Sequence, residues 1–401
     1  MTTQKPSGTP HTSELSPSSE TSLVQLTQEL ARGSMSRREF IKRAAALGLS
    51  VPAVAAIVAA CGSTSGSQGS SSPTPLDTTK PDKLFLFNWS DYLPSEVKKS
   101  FEKTYGIKVV ETYYDSNETL LAKIQAGASG YDVIVPDNIT VHIMLKSGLI
   151  QPLHMDLIPN FKNVMPRFQK PDYDPETDGH KYSVPYQWGT TGIGHRQDIV
   201  RETIDSWASL FNSAYKGKIT MLNDWRETIG VGLFLLGYSL NTTSQSELDQ
   251  ATAKLIEQKP LVKAYDSVNT RRLLIQGVPL CHGWNGYVLQ AYDTLGPEKL
   301  EYVLPKEAFG VWCDNMAIPT TAPSPYAGHL FMNYLFDPKV AGTVVDYTWF
   351  SSPIPAAEQY SQKIIWDFVP SEETLKRGEF FEDVGQFSTN YNEAWAQIKS
   401  S

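Results

Sequence analysis

The stretch from Leu84 to Val135 constrains the fold more than any other part of the chain, because the period of its apolar residues changes repeatedly. Leu84–Phe87 reads as a strand, and Pro94–Tyr105 as a helix with Val97, Phe101 and Tyr105 on one face and Gly106 as its stop. Ile107–Val110 predicts a second strand. Asp115 and Glu118 have the spacing of a capping box for a helix that ends at Gly127. Tyr131–Val135 then reads as a buried strand, and a further helix ends at Gly148. This β-α-β-α-β alternation predicts an α/β fold with a largely parallel sheet and helices on both faces. Ligands in such sheets sit beyond the carboxyl ends of the strands.

From Val184 the same grammar recurs. Strands are expected at Ile219–Leu222, at Val262–Tyr265 and around Val278, with helices from Trp225, at Ser246–Gln258 and after Trp284. Pro325–Phe336, Pro338–Tyr347 and Tyr391–Lys399 read as amphipathic helices, and no internal repeat is visible. The body from Pro81 to Ser401 is about 320 residues, beyond the size at which one core keeps growing, so two lobes are expected.

Upstream of the body lies an export signal. Ser36-Arg37-Arg38-Glu39-Phe40-Ile41-Lys42 resembles a twin-arginine signal, and Val58-Ala59-Ala60-Cys61 resembles the lipobox at which a bacterial signal is cleaved and its cysteine lipidated. A membrane-spanning helix is the competing reading. Ala44–Ala60, however, is 17 residues, rich in alanine and interrupted by Pro52, where a span needs about 20 apolar residues. Residues 1–35 are polar, with Met35 as an alternative start, so residues 1–61 are assigned to an N-terminal extension and signal. Cys61 is the expected lipidation site. Residues 62–80, dominated by Ser, Gly, Thr and Pro, form a tether with a reach of roughly 24 Å. The mature protein is therefore expected outside the cytoplasm, on a membrane through lipid.

The chain carries 35 basic and 43 acidic side chains; without residues 1–61 the balance is 29 to 39, a net charge of −10. An acidic exported protein argues against nucleic acid and favours cationic ligands. Beyond Cys61 only Cys281 and Cys313 remain, and they could pair in an oxidising compartment. His282 beside Cys281 lacks the spacing of a zinc site, and no motif for another cofactor is present.

No Gly-x-Ser-x-Gly, phosphate-cradling glycine loop or His-Glu-x-x-His occurs, which weakens the case for an enzyme. What recurs at strand ends is acid beside aromatic: Trp89-Ser90-Asp91-Tyr92, Asp224-Trp225-Arg226-Glu227, Trp284-Asn285-Gly286 and Trp312-Cys313-Asp314. Carboxylates accept hydrogen bonds from ammonium groups, and aromatic faces attract cations while packing their methylene stems. Together they describe a slot for an elongated organic cation. Each also has a plainer reading: Asp224 and Glu227 have capping-box spacing, Trp284 and Trp312 could be core residues, and Asp314 could end a turn.

Residues 82–400 resemble the spermidine/putrescine-binding proteins of ABC transporters. The resemblance rests on Phe87-Asn88-Trp89-Ser90-Asp91-Tyr92-Leu93-Pro94, Tyr114-Asp115-Ser116-Asn117-Glu118-Thr119, Tyr131-Asp132-Val133-Ile134-Val135-Pro136 and Tyr182-Ser183-Val184-Pro185-Tyr186-Gln187-Trp188-Gly189. Asp224-Trp225-Arg226-Glu227, Leu236-Gly237-Tyr238-Ser239-Leu240-Asn241-Thr242-Thr243 and Trp284-Asn285-Gly286 follow in the family's order. It implies a two-lobed periplasmic-binding-protein type II fold, each lobe a mixed sheet flanked by helices. Hinge crossovers near Gly189 and Val311 would make residues 82–189 and 312–358 lobe 1, and residues 190–311 and 359–401 lobe 2. It further implies a monomer that closes on a polyamine and delivers it to an ABC permease without a chemical step.

Carried over by residue, Trp89, Ser90, Asp91 and Tyr92 match the first-lobe ligand segment, and Asp224 with Glu227 the acidic clamp. Trp284 and Trp312 match the aromatic walls, Asp314 the principal carboxylate, and Phe350 a usual aromatic. Three positions depart from the pattern: Asp137 where a serine is usual, Ile139 where an aromatic is usual, and Phe381 in place of a polar amide. Asp137 is a candidate amine ligand, or only the cap of a helix beginning near Asn138. Alternatives to polyamine capture are another small cationic or amino-acid-derived solute in the same fold, or a secreted enzyme acting on carbohydrate through paired carboxylates.

Overall fold

The computed structural model describes residues 76–401 apart from Asp178; the expected signal, the lipid site at Cys61 and the tether as far as Pro75 lie outside the described residues. Leu76–Ser401 forms a compact unit. No helix among the described residues is long and apolar enough to cross a membrane.

The opening β-α-β-α-β pattern is realised with adjusted ends. β1 (Lys83–Trp89) pairs in parallel with β2 (Lys108–Tyr114) on one side and with β3 (Val133–Ile134) on the other. The helix Ser95–Tyr105 buries Val97 and Phe101 and is terminated by Gly106 in the left-handed region (φ 66°), which glycine adopts without a Cβ penalty. The strand expected over Tyr131–Val135 is only two residues long, because the Asp132 carboxylate takes the Phe85 and Ser324 backbone N–H groups itself and Pro136 has no N–H to offer. The expected capping box is also corrected. Ser116, not Asp115, caps the helix Asn117–Gln125 by accepting from the Thr119 N–H, and Asp115 bonds the Thr119 hydroxyl.

β4 (Ser183–Arg196) is the spine of the molecule, buried along all 14 residues. Its first part, Ser183–Thr190, pairs antiparallel with β9 (Phe309–Ala317). From Thr191 onward it pairs instead with β7 (Leu280–Trp284), and from Ile193 also with β8 (Leu300–Val303). β5 (Ile219–Met221) and β6 (Val262–Tyr265) extend the β7 side in parallel, and β10 (Gly378–Phe380) joins the start of β9. The sheet order is β2-β1-β3-β9-β4-β7-β5-β6. The strand expected around Val278 begins later, at Leu280, because Gly277 turns there with φ 94°. The remaining expected helices occur at Trp225–Leu235, Gln245–Gln258, Asn285–Leu295, Pro325–Leu335, Pro338–Thr348 and Ser388–Ser400.

Cys281 and Cys313 are separate buried thiols, on β7 and β9. Cys281 Sγ accepts from the Thr220 hydroxyl at 2.7 Å, and burial pushes its pKa up to about 12, so it is inert.

Candidate functional site

One face of the β4–β9 ladder carries the site. Gly189 stands opposite Trp312, and a Cβ there would lie 2.4 Å from the indole and 2.3 Å from Asn285 Oδ1, so only glycine lets the tryptophan lie across the strand. Trp312 meets Phe350 edge-on at 5.0 Å, and Phe350 also packs against Tyr287 (5.4 Å) and Tyr92 (5.9 Å). Gly286 is needed beneath that ring, since its Cβ would be 2.4 Å from Phe350. Two residues beyond Trp312, Asp314 accepts a 2.6 Å hydrogen bond from the Tyr92 hydroxyl. Burial pushes Asp314 up to about 7, the Tyr92 bond works against that rise, and the charge of Asp137 adds to it.

The second acidic group lies at the start of the helix Trp225–Leu235. Asp224 caps that helix by accepting the Glu227 N–H at 3.0 Å. Only half of the expected box forms. The Glu227 side chain turns into the sheet, where Oε1 accepts from the Thr191 hydroxyl (2.8 Å) and from Trp284 Nε1 (2.7 Å). Burial, then the charge of Asp224, pushes Glu227 up to about 8, and burial likewise raises Asp224. Arg226, between them in sequence, points elsewhere: its guanidinium bonds the Glu382 carbonyl and Asn241 Oδ1.

Asp137 does cap the helix Asn138–Lys146, its Oδ1 accepting the Thr140 N–H at 2.7 Å. It also forms an antiparallel bridge with Asp314, which sets the two acids side by side. Burial pushes it up to about 6, with further upward pressure from Glu118 and Asp224. Among the described residues, none of Asp137, Asp224, Glu227 and Asp314 forms an ion pair with a lysine, arginine or histidine.

The other expected residues are spread more widely. Trp89 is half-buried against Tyr114 at 4.5 Å. Ser90 and Asp91 are exposed, with Asp91 in a left-handed turn (φ 55°), whereas Asp137, Asp224 and Asp314 are half-buried and Glu227 is buried. Phe381 is buried against Gly310 at the Glu227 end, whereas Ile139 packs against the core. Sequence reasoning missed Thr191, Tyr287 and Glu118. Thr191 lies two residues beyond Gly189 on the same strand face, and Tyr287 one helical turn beyond Trp284, so periodicity could have found both. Glu118 was read only as the capping-box partner of Asp115, and its electrostatic influence on Asp137 has no local signal.

The arrangement offers anionic stations on either side of a row of aromatic rings, Trp284, Tyr287, Phe350 and Trp312. Asp314 faces Gln187 and Glu227 bonds Thr191 on the same strand, and those four residues of strand correspond to about 13 Å.

Residues 96–367 match the bacterial extracellular solute-binding protein family. The chain is 36% identical over 325 residues to the spermidine/putrescine-binding periplasmic protein of Salmonella typhimurium, covering 80% of this chain and 92% of that one. The fold is similar to a putative spermidine/putrescine ABC transporter structure from Listeria monocytogenes (TM-score 0.74, 33% identity, 80% of this chain and 99% of that one). It is also similar to a lipoprotein of Treponema pallidum (TM-score 0.73, 30% identity, 79% and 99%).

Proposed function

Because the chain belongs to the bacterial extracellular solute-binding proteins, we propose that it captures a polyamine, spermidine or putrescine, and delivers it to an ABC permease. The observation that carries this reading is the set of four acids, Asp137, Asp224, Glu227 and Asp314, on one side of the β4–β9 ladder, none of which forms an ion pair with a lysine, arginine or histidine among the described residues; Arg226 acts on Asp224, Glu227 and Asp137 only through space. An unpaired buried carboxylate is costly unless a proton or a cation satisfies it. A polyamine supplies several ammonium groups on apolar stems, which suit the rings of Trp89, Trp284, Trp312 and Phe350. Ser90, Asp91 and Tyr92 complete the ligand segment, with Asp91 receiving the ligand at the exposed rim.

The two lobes are residues 82–189 with 312–358, and 190–311 with 359–401. The exchange of β4 partners at Thr190–Thr191 supports a hinge there. A monomer closing about that hinge would present the loaded form to the permease, and no chemical step is involved. Lipid on Cys61 would hold it at the outer face of a membrane, and the related Treponema protein is itself described as a lipoprotein.

Calorimetric titration with putrescine, spermidine and spermine tests the reading, and saturable binding of at least one is expected. Absence of binding by all three, or turnover in a parallel oligosaccharide hydrolysis screen, would overturn it.

A further inference from the structure

One buried amide at the edge of the site serves neither the ligand nor its own helix. Asn138 is 1% exposed, follows Asp137 and opens the helix Asn138–Lys146. Its side chain fills a gap in the sheet. Along the edge of β9 away from β4, β10 occupies Phe309–Val311, and the Asp137 bridge to Asp314 begins three residues later. Cys313 lies between, and its backbone N–H donates to Asn138 Oδ1 at 3.2 Å. Asn138 Nδ2 donates in turn to the Phe381 carbonyl, one residue past the end of β10. A backbone N–H only donates and a carbonyl only accepts, so these two partners fix which way round the amide stands.

The partners belong to different lobes. Asn138 and Cys313 lie in lobe 1, whereas Phe381 lies in a segment tied down on lobe 2. There Asn241 Nδ2 donates to the Phe380 carbonyl (2.8 Å), Asn241 Oδ1 accepts the Glu382 N–H (2.9 Å), and Arg226 donates to the Glu382 carbonyl (2.9 Å). The far end of the same helix makes a second crossing, with Lys146 Nζ 3.6 Å from the Asp383 carboxylate. The two crossings differ in weight. Lys146 is largely exposed and its pair is screened by water, while the Asn138 bonds are buried, where a group left without its partner costs most.

We infer that Asn138 is a positioning residue that stitches the two lobes together at the ligand site: its amide keeps Asp137 beside Asp314 through Cys313 and holds both against Phe381 of the other lobe. This rests on the two-lobe polyamine reading. Parting the lobes breaks the Asn138–Phe381 bond and leaves Asn138–Cys313 intact, so the amide stabilises the closed arrangement. The ligand enters an open form that lacks the bond, and the effect therefore falls on its release. The competing role is purely structural, with Asn138 only seating its helix on β9.

Stopped-flow kinetics of spermidine binding, beside a thermal melt, separates the two roles. Asn138→Ala is expected to release spermidine about tenfold faster, with association within twofold of wild type. Release within twofold of wild type, whatever the melting temperature, overturns the inference. If Asn138→Ala does not fold, the exposed crossing decides: Lys146→Glu should speed release about threefold, and adding Asp383→Lys should restore it. Unchanged release by Lys146→Glu, or no restoration by the swap, then overturns the inference. A wild type that binds no polyamine ends the polyamine reading alone, and small-angle scattering of the free proteins tests the stitch without ligand. Asn138→Ala, or Lys146→Glu in its place, must then have a larger radius of gyration than wild type, and equal radii overturn the inference.

Discussion

Tyr92 and Asp314 are 222 residues apart in the chain, and the phenol donates to the carboxylate at 2.6 Å. The bond favours the ionised acid and burial opposes it, leaving Asp314 at about 7. Near neutral pH its charge is therefore set by whatever else enters the site.

Asp314→Asn should weaken polyamine binding at least roughly thirtyfold, since truncating one partner of a buried charge pair costs about 2–5 kcal/mol. Titration beside a thermal melt is decisive. A variant that melts lower yet binds within about twofold would show that Asp314 only ends a turn.

Polyamine capture should be coupled to proton release. Glu227, Asp314 and Asp137 are raised to about 8, 7 and 6 from ordinary values of 4.5, 3.8 and 3.8. Their contribution to the stability of the free protein is fully present below those ordinary values, and is lost as pH rises through 6, 7 and 8. The cation prefers the ionised acids, so affinity should rise over the same window in which the free protein becomes easier to melt. Calorimetry at pH 7 in buffers of different ionisation enthalpy measures the protons released, and a buffer-independent enthalpy would count against the idea.

Asp137 should favour the longer ligand. It adds a carboxylate beside Asp314, and a third amine, as in spermidine, gains a charge-assisted contact that putrescine is less able to reach while holding Asp314. Asp137→Ser should therefore cost spermidine selectively, whereas its capping of Asn138–Lys146 predicts an equal effect on both ligands.

Gly189→Ala should damage stability and binding together. Its Cβ would lie 2.4 Å from the Trp312 ring and 2.3 Å from Asn285 Oδ1, and overpacking of this kind costs about 1–3 kcal/mol. A lowered melting temperature with intact spermidine affinity would show that binding tolerates a displaced Trp312.

Cys61 should be the first residue of the exported protein and carry lipid, because small residues precede it and a Ser/Gly-rich tether follows. Mass spectrometry reads this directly, and an unmodified Cys61 still joined to Ala60 would refute it.

The alternation of strands and helices, the glycine stop at Gly106 and the pairing of acids with aromatics were legible in the sequence, because each is a local consequence of side-chain period, backbone freedom or residue chemistry. Element ends were less so. β3 shrank because the Asp132 carboxylate took backbone donors from Phe85 and from distant Ser324, a choice no local window contains. Asp224 and Glu227 illustrate the division: their spacing announced a cap, but only the tertiary structure turned Glu227 away from it toward Thr191 and Trp284. Likewise Asp137 read equally well as cap or ligand. Its place beside Asp314 was decided by the packing of Asn138–Lys146 against β9, which joins segments more than 170 residues apart. Sequence determined which groups the protein possesses and the elements that carry them. The long-range pairing of strands decided which acids share one site, and desolvation there pushes their pKa values up.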